Sequence, residues 1–172
     1  MIRKAVAADV LRFPEVERSA AERFRGSALD WIADDEVSAD DFYAPFVSQG
    51  LVWAAEARGQ VVGFAACERF DDALHLWELA VAREHQGRGL GRALVAAAAA
   101  EGRARGRPAL TLTTFRSIPW NGPFYASLGF EEPAVEDLPV RLRNVLAQEA
   151  RRGFQDRCAM RLDLGSVRSL IA

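Results

Sequence analysis

His75-Leu76-Trp77-Glu78-Leu79-Ala80-Val81 runs through Ala82-Arg83-Glu84-His85 into Gln86-Gly87-Arg88-Gly89-Leu90-Gly91. The first seven residues read as a strand, and the last six read as a glycine loop entering a helix near Leu90. That sequence of elements is a device for holding phosphate. Glycines let the backbone turn tightly and approach a ligand. The first N–H groups of a helix lack intrahelical partners, and the helix dipole favours an anion there. Two familiar loops do not fit. A dinucleotide fingerprint needs G-x-G-x-x-G early in the fold, whereas the third glycine here comes one residue too soon and the loop lies halfway along the chain. A Walker loop needs Lys-Ser or Lys-Thr, and the chain has neither pair. What remains is Q/R-x-x-G-x-G/A, filled by Gln86, Gly89 and Gly91, or an ordinary strand-to-helix turn.

Working outward, Leu51 to Ala57 and Val61 to Glu68 read as a hairpin closed at Arg58-Gly59-Gln60, and Leu74 to Val81 as the strand that follows. Upstream, Ile2 to Val6 is a first strand. A helix begins at Pro14 and reaches about Phe24, with Val16, Ala20, Ala21 and Phe24 at helical spacing. Gly26 to Val37 reads as a loop. Ser38 with Asp41 signals a second helix start, with Phe42, Phe46 and Val47 on its apolar face and Gly50 at its end. Downstream, the helix from Leu90 to about Arg105 buries Leu90, Leu94, Val95 and Ala98. Ala109 to Phe115 is a strand reached by a helical crossover, and so parallel to the strand before the loop. Pro123 opens a short helix closed by Gly129. Leu138 to about Arg152 is a further helix with Leu142, Val145, Leu146 and Ala150 inward. Arg157 to Leu164 is the last strand. The order β-α-α-β-β-β-α-β-α-α-β predicts an α+β fold on one mixed, mostly antiparallel, twisted sheet.

Composition narrows the classes. The 172 residues are 50% hydrophobic and 27% charged, with a net charge of −2, which suits one domain and supplies no basic field for nucleic acid. Lys4 is the only lysine. Cys67 and Cys158 sit in apolar strand-like runs and read as buried reduced thiols. Met1-Ile2-Arg3-Lys4 leads into a strand rather than an apolar signal segment. No apolar run reaches the length of a membrane span. The expectation is a cytoplasmic protein without membrane attachment. No metal cluster is apparent, and His75 and His85 read as surface residues at strand and loop ends.

A second motif follows the crossover strand. Asn121, Phe124, Tyr125, Gly129 and Phe130 fill N-x-x-F/Y-Y-x-x-x-G-F. With the glycine loop, it resembles the GNAT superfamily of acyl-CoA-dependent N-acetyltransferases. The resemblance covers residues 2 to 132 and takes in the final strand. The helix near 138–152 is extra relative to the shortest members. It implies a single 1–172 domain with helices on both faces of the sheet, and splayed strands forming an acyl-CoA cleft. It implies acetyl-CoA as donor and no metal.

Read onto this chain, the resemblance gives each residue a task. Backbone N–H groups of Gly87, Arg88, Gly89, Leu90, Gly91 and Arg92 would hold the coenzyme pyrophosphate, with Arg88 and Arg92 as side-chain contacts or as solvated arginines. Leu79, Ala80 and Val81 would pair with the pantetheine arm by main-chain bonds. Asn121 would bond the cofactor side, or simply cap its helix. The amine must lose a proton, since alkylamines are protonated at neutral pH. Glu78 shares a strand face with Leu76 and Ala80 and reads as the base, directly or through water, or as a salt-bridge partner. Tyr125 stands where the family keeps its general acid for the departing thiolate, or is an aromatic packed on the sheet.

The acceptor, a small-molecule or peptide amine, is less legible. Trp31 with Asp30, Asp34 and Asp35 could flank the mouth and attract a cation. Arg116 and Trp120 could line another wall, and Arg116 would then favour an acceptor bearing a carboxylate. The leading reading is an N-acetyltransferase acting by direct attack in a ternary complex. The alternative is an acyl-CoA-binding GNAT-fold sensor without turnover, which would need neither Glu78 nor Tyr125. A homodimer is compatible with the family, with no interface visible in the sequence.

Overall fold

Arg58 and Gly59 both take positive φ, 52° and 76°, the primed two-residue turn whose twist matches that of paired strands. The turn joins β2 (Val52–Ala57) to β3 (Gln60–Arg69), with Ala57 opposite Gln60. The computed structural model describes residues 1–38 and 40–165, with Asp40 described by its backbone. The remaining strands are β1 (Ile2–Lys4), β4 (Leu74–Val81), β5 (Ala109–Phe115) and β6 (Arg157–Asp163). The six form one sheet in the order β1-β2-β3-β4-β5-β6. β1–β2, β2–β3 and β5–β6 pair antiparallel, and β4–β5 pairs parallel through Leu74–Leu110 and His75–Thr111. The α-helices are α1 (Phe13–Ala21), α2 (Asp40–Ser48), α3 (Leu90–Ala104), α4 (Gly122–Ala126) and α5 (Val140–Arg151). The order and the mixed α+β class agree with the sequence expectation. Contacts divide the chain into two compact units, residues 1–68 with 76–100, and residues 69–75 with those from 101 onward.

In the first unit the core is aromatic. Phe13 of α1 stacks on Phe64 of β3, with centroids 4.1 Å apart and planes at 16°. Tyr43 of α2 meets both rings edge-on, at 5.6 and 5.2 Å. Edge-to-face and offset packing suits the ring quadrupoles and adds about 0.5–1.5 kcal/mol per pair beyond burial. This cluster corrects the reading of α2. Tyr43 is 0% exposed and Phe46 9%, whereas Phe42 is 43% exposed. Filling the notch beside Phe13 and Phe64 with Tyr43 turns the helix so that its neighbour in sequence, Phe42, faces outward. The expected first helix ends at Ala21, and Glu22–Phe24 tightens into a 3-10 turn. In α3, Leu94, Val95, Ala98 and Ala99 are buried and Leu90 is half-buried.

In the second unit, β5 and β6 pair through seven residues from Ala109–Asp163 to Phe115–Arg157. Leu138 and Leu142 pack with Ala159, and Leu146 joins them. Ala150 is exposed rather than inward. The adjacent Glu149 turns in instead, bonded to Thr113 Oγ1 at 2.6 Å and to Arg157 at 2.8 and 3.0 Å. Arg157 covers the Phe115 ring at 4.6 Å. An ion pair with a hydroxyl and an aromatic face thus anchors the helix end that the hydrophobic pattern had assigned to alanine.

His75 overturns its surface reading, being 0% exposed. Its Nδ1 lies 3.0 Å from Thr111 Oγ1 and 3.4 Å from Arg141 Nη1. Arg141 also donates to Asp72 through two 2.8 Å bonds and to Thr111 Oγ1 at 3.1 Å. Cys67 and Cys158 are buried and unpaired, as the sequence implied. Burial pushes both thiols up, Cys158 to about 11.

Candidate functional site

In the first unit the site is built on the exit of β4. Gly87 and Gly89 turn at φ 72° and 80°, and a Cβ on either would point into open space. The backbone conformation, and not crowding by the protein, therefore requires glycine at these positions. The Gly89 carbonyl accepts from Ala93 N–H at 3.0 Å, the first bond of α3. The N–H groups just ahead of it have no place in the helical ladder. Buried Leu94 and Val95 hold the helix down, so these donors sit on a fixed support. Arg88 and Arg92 are exposed.

Gln86 is held by two side-chain bonds. Its Nε2 donates to Val81 O at 2.8 Å, and its Oε1 accepts from Arg23 Nη1 at 3.2 Å. Arg83 N donates to Ser19 Oγ at 3.0 Å, and Ala82 N to Val62 O at 2.8 Å. The loop entry is pinned to α1, to the 3-10 turn after it and to β3. The Val81 carbonyl at the end of β4 thus accepts from Gln86. Arg23 was not foreseen. Burial lowers its pKa first, and the nearby Arg83 charge lowers it further.

Glu78 sits on β4 between Trp77, whose Nε1 donates to Glu68 Oε2 at 2.7 Å, and Leu79. A Cβ on Gly63 of β3 would lie 2.9 Å from Ala80 O and 3.2 Å from Val81 Cγ2, so Gly63 and Val81 share a face. Alternation along β3 places Phe64 on the other face. That is the face on which Phe64 meets Phe13 and Tyr43. Glu78 and Leu79 are half-buried, while Ala80 is 1% exposed. The Glu78 charge is near enough to Tyr43 to help raise the tyrosine's pKa, after the larger effect of burial.

Trp31 is 41% exposed in a 3-10 turn over Asp30–Asp34. The acidic character expected there is offset. Arg25 Nη1 donates to Asp34 at 2.6 Å and to Asp30 at 3.3 Å, and Asp30 Oδ1 also accepts from Gly26 N. These contacts tie the turn down and leave Asp30 and Asp34 less free to attract a cation.

In the second unit Asn121 stands at the N-cap of α4, but its side chain makes no cap bond. Its Oδ1 is sealed from solvent with no hydrogen-bond partner among the described residues. Buried acceptors are rarely left so, and the capping alternative is not realised. Its backbone carbonyl accepts from Tyr125 N–H at 3.0 Å. Gly122 allows the turn, because a Cβ there would sit 2.2 Å from Arg116 O. Tyr125 is 8% exposed, with its ring 5.1 Å from Phe124 and 5.5 Å from Phe130. Phe124 and Trp120 are half-buried. Arg116 is bound to Glu132 at 2.8 Å and to Asp156 at 3.2 Å, so an acceptor carboxylate would have to compete with both. Among the described residues no group of three His, Cys, Asp or Glu side chains is arranged to hold a metal, and no helix is long and apolar enough to cross a membrane.

Residues 48–132 match the family described as the acetyltransferase (GNAT) domain. That span contains β4, the glycine loop, α3, β5 and α4. Among solved structures, a Neisseria gonorrhoeae N-acetylglutamate synthase complexed with coenzyme A and N-acetyl-glutamate is similar at TM-score 0.72 and 21% identity, over 96% of this chain and 35% of that one. This chain thus spans about a third of the synthase. A Thermoplasma acidophilum PaiA N-acetyltransferase in complex with coenzyme A is similar at TM-score 0.71 and 17% identity, covering 95% of this chain and 98% of that one. The Escherichia coli ribosomal-protein-S18-alanine N-acetyltransferase is similar at 0.69 and 22%, covering 100% and 98%. At these identities the likeness speaks to the fold. The match to the GNAT acetyltransferase domain covers the strand, glycine loop and helix together with the Asn121–Phe130 segment.

Proposed function

We propose that the whole chain acts as one acetyl-CoA-dependent N-acetyltransferase domain, moving an acetyl group to a primary amine by direct attack in a ternary complex. The observation that carries this reading is the open loop at Gly87 and Gly89, turned at positive φ into α3 directly after the strand that bears Glu78. The residues present fit a bound coenzyme. Backbone N–H groups from Gly87 to Arg92 would hold its pyrophosphate, with Arg88 and Arg92 adding charge. Leu79 and Ala80 would line its pantetheine arm, with Val81 held in register by Gln86. The sealed Asn121 Oδ1 supplies an acceptor that needs a donor, and Phe124 stands beside it in α4. The thioester supplies an activated acetyl group.

The chain's own residues handle the protons. Glu78 takes the proton from the attacking amine. Its half-burial disfavours the carboxylate and so strengthens it as a base. Tyr125, packed between Phe124 and Phe130, gives a proton to the departing sulfur. The acceptor is a small-molecule or peptide amine, with Trp31 and Trp120 as candidate apolar contacts.

Thiol release from acetyl-CoA across a panel of amines, with calorimetric coenzyme binding on the same sample, tests the proposal. Binding together with amine-dependent release is the expected result. Binding with no release from any amine would favour a sensor without turnover, and absence of binding would overturn the reading.

A further inference from the structure

Ten described residues take a positive φ, and eight of them are glycine. Of the other two, Arg58 belongs to the β2–β3 turn. The last is Asp156, at φ 56°, one residue before β6. Left-handed backbone disfavours a side chain, although Asp tolerates it better than most. The fold meets the same demand with glycine three residues earlier, at Gly153. A carboxylate at 156 thus persists where glycine would have avoided a backbone cost.

That carboxylate holds the start of the segment between β5 and α4. Asp156 Oδ2 accepts from the Ser117 backbone N–H at 2.9 Å, and Oδ1 accepts from Arg116 Nη1 at 3.2 Å. The Asp156 carbonyl accepts from the Arg116 N–H at 2.7 Å. One residue therefore takes both backbone donors that follow the last β5–β6 pair, Phe115–Arg157. Its base is fixed, because Phe154 in the same loop packs on Phe115 at 6.0 Å and its N–H donates to Glu149 O at 3.1 Å. The Ser117 side chain, followed by the Ser117 N–H and Arg116, holds the Asp156 carboxyl below the usual range against slight burial. Beyond Ser117 the segment folds back on itself. A Cβ on Gly122 would sit 2.2 Å from the Arg116 carbonyl oxygen. Asn121 N–H donates to Ile118 O at 2.9 Å, and Asn121 O accepts from Tyr125 N–H at 3.0 Å. These are backbone contacts, so a shift of Arg116 and Ser117 passes directly to Asn121 and Tyr125. The exposed Arg116 ion pair itself adds little to stability.

We propose that Asp156 is a positioning residue whose carboxylate and carbonyl clamp Arg116 and Ser117 and thereby fix Asn121 and Tyr125 for the coenzyme thioester. This rests on the function proposed above.

Amide hydrogen exchange on the full chain reads the clamp without coenzyme or acceptor. Asp156→Gly removes the carboxylate at an exposed position whose backbone suits glycine, so the variant keeps the fold. In it the Asn121 and Tyr125 amides are expected to exchange about tenfold faster, while the β5–β6 ladder keeps its protection. Asp156→Asn, which suits the same backbone and keeps an acceptor for Ser117, should restore most of that protection. Glu132→Gln removes the other carboxylate on Arg116 but no backbone bond, and Gln155→Ala alters an exposed neighbour; neither should change these amides. Exchange in Asp156→Gly no faster than in Gln155→Ala, an equal loss in Glu132→Gln, or no rescue by Asp156→Asn would overturn the proposal. With an amine accepted in the thiol-release panel, Asp156→Gly should lower kcat by about tenfold, with recovery in Asp156→Asn. A residue that only stapled the sheet would lower Tm and leave kcat unchanged, and that result would also overturn the positioning role. If no amine is accepted, the functional reading fails while hydrogen exchange still tests the clamp.

Discussion

His75 gives a measurable signature of how deeply the first residues of β4 are set. It is 0% exposed, and the donors around it converge on Nδ1. Arg141 Nη2 donates to Thr111 Oγ1, leaving the threonine O–H free to donate to Nδ1. The ring is therefore neutral, with its proton on Nε2. Burial, and then the Arg141 charge, bring its pKa down from 6.5 to about 3, with Asp72 opposing. The unfolded chain binds a proton near pH 6.5 that the folded chain refuses. The full stability is present above that value and falls as the pH drops toward 3. At pH 4.5 the loss works out to roughly 2–3 kcal/mol, at 1.36 kcal/mol per pH unit over two units. The Asp72 pKa is lowered by its Arg141 bonds, so that contribution holds above the ordinary carboxylate range and stays largely intact at pH 4.5. Urea unfolding of the wild type and of His75→Gln at pH 7 and 4.5 isolates the effect, because the other titrating groups are common to both. The wild type should lose about 2–3 kcal/mol more than the variant over that interval. Equal losses, or an imidazole that titrates near 6.5 by NMR, would refute the argument.

Further outcomes can be checked alongside it. Gly122→Ala should cost about 2 kcal/mol or more and lower Tm, since its Cβ would meet the Arg116 backbone at 2.2 Å and that strain cannot be relieved by a side chain; an unchanged Tm would contradict the geometry. Asn121→Ala should leave the stability of the coenzyme-free protein unchanged or raise it, because the buried Oδ1 loses no bond, while calorimetry shows coenzyme binding weakened about tenfold. Tyr125→Phe should lower kcat by about a hundredfold or more with coenzyme affinity kept, as read by thiol release and calorimetry on one sample. Glu78→Gln should shift the activity profile toward higher pH, where more of the amine is already deprotonated; an unchanged profile would remove Glu78 from the base role.

Much of this was legible in the chain. The β-α-α-β-β-β-α-β-α-α-β order depends on local signals, namely period-two alternation, the Arg58-Gly59 turn and the glycine stops, and these act within a few residues. The glycine loop was equally readable because positive φ is a demand on residue type. Other features were not readable. His75 looked like a strand-end surface residue because nothing in its neighbourhood announces Arg141, 66 positions later, which lies against it at 3.4 Å. Phe42 and Tyr43 are both apolar enough for a helix face, and only the notch beside Phe13 and Phe64 chose between them. Asp30 and Asp34 read as free charge until Arg25 was found to be paired with them. The Gln86 side chain's bond to the Val81 carbonyl was likewise not announced by the motif.

By itself, then, the sequence determined which segments are strands and helices and where the backbone must turn left-handed. Tertiary structure alone decided which charges are spent on one another and which rings fill the core. The reason is one of range. Backbone preferences are settled by neighbours in the chain, whereas the state of a charge depends on what is packed against it, and that partner can come from any distance along the sequence.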